Sequence, residues 1–208
     1  ALTAEEYPQG SNAGLFANGN GIQDTADWTI PAGNGMYSGS TIKKFENYGW
    51  MVEIDLASAT GLRKLYSMGR FSHEGGWCMP DGKTVYLTDD FTPGVLFKFV
   101  ANKANDYREG QLYAYKQGAN GVGGSWITLP MDLNSLINIR EVAISMGATT
   151  FIRLEWVLER NNKLYITETG IDNTGSVLKT AMNNGGGIAN HHWTLTHNGD
   201  TTFTDYYG

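Results

Sequence analysis

Residues 69–100 read GRFSHEGGWCMPDGKTVYLTDDFTPGVLFKFV, and this stretch decides the fold. TVYLTDD and VLFKFVA have the β-branched and aromatic content of paired strands, with a DG turn dipeptide ahead of the first. Among these apolar residues stand His73, Glu74, Asp89 and Asp90. Strands do not readily hold acids without a function for them, so the stretch poses a question of chemistry as well as of fold.

The same pattern extends outward in both directions. WMVEIDL, GQLYAYKQ, FIRLEWVLE and NKLYITETG are further short strand candidates, separated by turns carrying Gly or Asn. Short strands at regular spacing imply a sandwich, a barrel or a propeller. TVYLTDD and KLYITETG look like one strand used twice, each ending in polar residues, as propeller blades do. One segment departs from this period: in MDLNSLINIREVAISMG, Leu133, Leu136, Ile137 and Val142 fall near helical spacing. A single inserted helix is predicted over Met131 to Met146, capped by Asp132 or Asn134 and ended by Gly147. Residues 1–46 are rich in Gly and Asn and read as an irregular N-terminal segment that binds nothing recognisable. The tail returns to Gly and Asn, with one strand expected at HWTLTH.

Composition agrees with an all-β chain. Charged residues are 17% of the 208, aromatics 12%, and there are 27 glycines, a balance that suits turn-rich, aromatic-packed sheets over a helical bundle. The length fits one domain, 1–208, or a fragment of one. A net charge of −6 excludes nucleic acid and anionic lipid as natural partners and suits cations. The one cysteine, Cys78, excludes an intramolecular disulfide framework. No run reaches the length of a membrane span, and ALTAEEYPQG lacks the basic and apolar regions of a signal peptide. The chain is therefore expected to be soluble, with any signal peptide already removed.

Side-chain alternation places Arg153 and Glu155 on one strand face, and Glu74, Gly76 and Cys78 on another. An arginine two residues from a carboxylate can hold an anion beside a metal, or form a structural ion pair. Asp89 and Asp90 can bind calcium or cap a strand end. Cys78 reads as a buried small hydrophobe, or as a thiolate ligand on the Glu74 face. His191 and His192 point to opposite faces of a strand and make a poor chelate, and a packing or solvated role is expected for both and for His197. The glycine-rich GANGVGGSW lacks the Lys-Ser and helix context of a phosphate loop.

Taken in order, GWMVEIDL, GRFSHEG, DGKTVYLTDD, LFKFVA, GQLYAY, REVAISMGATTFIRLEW and KLYITETG resemble the PhoX-type alkaline phosphatases over roughly Asn47 to Gly170. The resemblance implies a β-propeller, possibly incomplete here, that binds metal ions in its central channel and hydrolyses phosphate monoesters in the periplasm or outside the cell. It implies Glu74, Glu155 and one of Asp89 and Asp90 as metal ligands, calcium as the metal, and Arg153 as the catalytic residue that contacts phosphate. The family's iron is held with a cysteine ahead of the first matched strand. At that place this chain reads STIKKFENYGW, which keeps Glu46 and Asn47 but has no cysteine, so iron stays open as a second metal without its family cysteine ligand. Two other functions stay open: a non-catalytic, calcium-stabilised propeller acting as an extracellular structural or assembly subunit, and a carbohydrate-binding module using its aromatic residues. Self-association, or missing chain segments, would complete the propeller.

Overall fold

The computed structural model describes residues 1–6, 27–33, 35, 38–43, 45–46, 48–118, 124–161, 163–169, 191–196 and 204–207. In chain order the strands are β1 (Leu2–Ala4), β2 (Trp28–Thr29), β3 (Thr41–Ile42), β4 (Met51–Asp55), β5 (Thr60–Leu65), β6 (His73–Cys78), β7 (Thr84–Asp89) and β8 (Gly94–Lys103). They continue as β9 (Asp106–Gln117), β10 (Gly124–Thr128), β11 (Thr150–Phe151), β12 (Leu154–Arg160), β13 (Lys163–Glu168), β14 (His191–Thr196) and β15 (Thr204–Tyr207). Every pairing among them is antiparallel.

The central sheet is a meander in the order β6-β7-β8-β9-β10, with β11 pairing β8. Its turns carry the residues their geometry demands. Between β6 and β7, Gly82 takes φ +67° and Asp81 accepts from the amides of Lys83 and Thr84, closing the turn at DG. Both faces of this sheet are buried, and strand alternation assigns its side chains to two cores. Val85, Leu87, Val95, Phe97, Phe99 and Leu112 enter one core with Phe71 and Ile139. Tyr86, Leu96 and Tyr115 enter the other, against Phe151, Leu154, Val157, Leu164 and Ile166. The second core fastens the sheet β12-β13-β14-β15 across the central one. The all-β expectation is borne out. The propeller rests on the structural likeness reported below and not on this sheet order.

Two local expectations are corrected. The inserted segment is two helices, Leu133–Ile137 and Ile139–Ser145, broken at Asn138, whose φ and ψ are −119° and 35°. The Asn138 side chain donates to the Asn134 carbonyl at 3.1 Å, offering that carbonyl an alternative to the helical ladder. Asp132 is the N-cap, accepting from the Ser135 amide at 3.1 Å, and Gly147 ends the segment at φ +90°. At the N-terminus, β1 pairs with β4 in the register Leu2↔Glu53 to Ala4↔Met51, so the first residues belong to a sheet where irregular cover was expected. The Gly- and Asn-rich residues 7–26 lie outside the described residues. No helix among the described residues is long and apolar enough to cross a membrane.

Candidate metal centre

The centre forms where β12 crosses β6, and a glycine makes the crossing possible. A Cβ on Gly75 would lie 2.8 Å from the Glu155 carbonyl oxygen, 2.8 Å from Thr88 Oγ1 and 3.0 Å from the Val157 nitrogen. These are closer than a side chain tolerates, so only glycine permits this approach. The Thr88 hydroxyl fastens it, accepting from the Gly75 amide at 2.8 Å and donating to the Glu155 carbonyl. Both strands shift register here, β6 between His73 and Gly76 and β12 between Leu154 and Val157. Bulges re-aim side chains, and here they bring Glu74 and Glu155 to one place.

The turn after β7 supplies the next acid. Asp90 donates its amide to the Ser72 carbonyl at 2.9 Å, and its side chain is only 5% exposed. Arg153 grips that carboxylate with two parallel bonds, Nε to Oδ1 and Nη2 to Oδ2, both 2.8 Å. Its Nη2 also lies 3.4 Å from Glu155 Oε1, so Arg153 and Glu155 do share a face. Arg153 sits at φ +58°, a left-handed conformation unfavourable for a side chain of this size. It is held there by its amide N–H, which donates to the Phe91 carbonyl, and by the Thr169 amide, which donates to the Arg153 carbonyl, each at 2.9 Å. The Thr169 hydroxyl donates to Glu155 Oε1. Strained backbone fixed from both sides is a mark of a functional position.

Asp89 is corrected. Its carboxylate is fully buried and bound on both oxygens by Arg140, Nη2 to Oδ1 at 2.5 Å and Nε to Oδ2 at 2.6 Å. The amides of Ser72 and Val95 donate to it at 3.1 and 3.3 Å. With those acceptor sites filled, Asp89 is a structural anchor for the turn, and Asp90 is the member of the pair that faces the other acids.

Glu6 completes the cluster and was not among the expected ligands. Oxygens of Glu6, Glu74 and Asp90 lie within 4.8 Å of one another. Glu6 arrives because β1 continues through Glu5, whose amide donates to the Trp50 carbonyl at 3.0 Å and whose carboxylate takes Lys64 Nζ at 2.9 Å. The only signal for it was the acid pair directly after the Leu2/Ala4 alternation.

The electrostatics record the crowding. Burial, then the negative charges of Glu6, Glu155 and Asp90, push the Glu74 carboxyl up to about 7, with Arg153 opposing. Burial also raises Glu155, with Asp90 and Glu6 adding to the rise, against the Thr169 bond and Arg153. Acids gathered in this way need protons or a cation between them. The donors are all hard carboxylate oxygens, a set that fits calcium or magnesium and not a thiolate-seeking metal. Cys78 is exposed, where a buried thiol was expected, and it lies outside the cluster. Glu46 accepts from the Lys43 amide at 3.1 Å and takes no part in the cluster, and Asn47 and His197 lie outside the described residues. His191 and His192 are described only as backbone of β14.

Fold and centre together define an antiparallel all-β protein with an acid-rich site and one arginine at the crossing of two sheets. The family model for alkaline phosphatase PhoX matches residues 1–204, and the chain belongs to the PhoX alkaline phosphatase family. Among solved structures it is similar to Pseudomonas fluorescens PhoX in complex with vanadate, a transition state analogue, at 24% identity and a TM-score of 0.57. That match covers 78% of this chain and 35% of the other, so the chain spans about a third of its length. The likeness identifies the fold as β-propeller-like. Among curated proteins, none matches.

Proposed function

We propose that the chain carries the site of a metal-dependent phosphomonoesterase acting outside the cytoplasm, with calcium as the metal. The observation that supports this reading is the convergence of Glu6, Glu74 and Asp90 within 4.8 Å, beside an arginine held in strained backbone. Glu6, Glu74 and Asp90 would hold the cation, while Glu155 lies outside that trio as the carboxylate that meets Arg153 and Thr169. When bound, the cation supplies neutralisation of the phosphate oxygens and assistance to an oxygen nucleophile.

The chain's own groups do the positioning. Arg153 commits Nε and Nη2 to Asp90 and Glu155, while its Nη1 is directed to no acceptor among the described residues. A phosphate oxygen is the natural partner for that remaining donor. Because Asp90 and Glu155 orient the guanidinium before substrate arrives, its charge needs no reorganisation as the phosphoryl group develops its transition state. The hydroxyl of Thr169 fixes the Glu155 carboxylate in turn.

The grip of Asp90 on Arg153 also supports a second reading, in which the pair is structural and the chain is a calcium-stabilised scaffold. Hydrolysis of p-nitrophenyl phosphate by the calcium-loaded chain, with metal content measured by elemental analysis, separates the two. Under the enzymatic reading Arg153→Ala lowers kcat/KM by about a hundredfold or more while bound calcium is retained. A calcium-loaded wild type that hydrolyses nothing overturns this reading in favour of the scaffold. Release of the activity by osmotic shock of the cells tests the location.

A further inference from the structure

Beside the acid cluster runs a groove of about 440 Å³ that the proposed chemistry leaves unused. Leu2, Ala4, Met51 and Val85 wall it, and Trp156, 67% exposed, flanks it. Among the described residues Glu74 is the one charged side chain lining it, and an oxygen of that carboxylate lies within 4.8 Å of oxygens of Asp90 and Glu6. The groove therefore opens directly onto the centre. Its volume suits a ring-sized group, since small-molecule sites begin near 300 Å³.

The chemistry of the walls limits the occupant. Among the described residues no basic side chain lines the groove, so these walls offer nothing to a second phosphate or to a carboxylate. A glycerol moiety has no ring face to set against Trp156. An uncharged aromatic group gains contact with the partly exposed Leu2 and Ala4 and a ring partner in Trp156.

Resting on the phosphomonoesterase reading, we propose that this groove receives the alcohol portion of the ester and selects aryl over small polar phosphates, with Trp156 as its specificity-determining wall. Cys78 lines the same groove, is exposed, and is the only cysteine of the chain, so it reports occupancy without turnover.

The test has two arms on the purified calcium-loaded chain. In the first, kcat/KM is measured for phenyl phosphate and for glycerol 2-phosphate. The aryl preference of the wild type is expected to fall about tenfold in Trp156→Ala. In the second, alkylation of Cys78 by N-ethylmaleimide is followed by mass spectrometry. Phenylphosphonate is expected to slow it about threefold or more at saturation, whereas inorganic phosphate at the same occupancy leaves it unchanged. Equal slowing by both anions, or by neither, overturns the groove assignment. So does an aryl preference that Trp156→Ala leaves intact. Protection by phenylphosphonate alone in a chain that hydrolyses neither ester upholds the groove as an aryl site and overturns the phosphatase reading instead.

Discussion

Replacing Arg140 by alanine should destabilise this protein more than any change to a surface charge. The guanidinium makes two short bonds to Asp89, a carboxylate with no exposed surface, and stacks 4.0 Å from the Phe91 ring centroid. Removing it leaves a buried anion with only the amides of Ser72 and Val95 as partners. Breaking one side of a buried pair costs about 3–5 kcal/mol. For a domain of this size each kcal/mol lowers Tm by about 2–4 °C, so a fall of about 6–20 °C is expected. Thermal unfolding followed by circular dichroism measures it. The pH dependence gives a second check. Burial holds the Asp89 carboxyl above the ordinary range while Arg140 pulls it down, so losing Arg140 lets it rise further. A carboxyl raised in the folded state costs stability once it must ionise, and that cost disappears as pH falls and the group keeps its proton. The Tm deficit of Arg140→Ala should therefore shrink toward acid pH. A variant melting within about 2 °C of wild type at neutral pH would refute the anchoring role.

Three other outcomes follow from the centre. In calcium-free protein, Glu74 binds its proton more tightly folded than unfolded, so stability should decline as pH rises from the ordinary carboxylate range through about 7. Denaturant melts of Glu74→Gln should show a weaker slope over that window; an undiminished slope would assign the effect elsewhere. Gly75→Ala should cost about 1–3 kcal/mol, because its methyl group must push apart the Glu155 carbonyl and Thr88 Oγ1, and urea unfolding together with a calcium titration should register both lost stability and weakened binding. Glu6→Gln should weaken calcium binding while leaving Tm of the calcium-free protein unchanged or higher, since it removes an exposed charge from a repelling cluster; unchanged calcium affinity by isothermal titration would remove Glu6 from the ligand set.

Much of the centre was legible through the resemblance to the PhoX family, which marked Glu74, Glu155, Arg153 and the Asp89/Asp90 pair, while strand alternation placed Arg153 and Glu155 on one face. The similarity of TVYLTDD to KLYITETG pointed only to repeated blades. The choice between Asp89 and Asp90 was not legible. Neighbouring residues point apart, and which direction leads to the other acids depends on Arg140, 51 residues away on a helix. Glu6 was hidden for a similar reason, since its place follows from the pairing of β1 with β4, which a three-residue strand does not announce. The helix break at Asn138 has its local cause in an asparagine side chain that bonds the carbonyl four residues back, but helical periodicity runs smoothly across it.

The contacts that assemble the centre are distant along the chain: Thr88 meets Glu155 across 67 residues, Asp90 meets Arg153 across 63, and Glu5, which aims Glu6, meets Lys64 across 59. Contacts so distant are costly to close and are expected to form late, after the hairpins of the central sheet. A ligand that bridges these acids would then find no site in the transition state. It should therefore leave the rate of folding unchanged and act almost wholly by slowing escape from the folded state, giving the chain a longer lifetime without a faster birth.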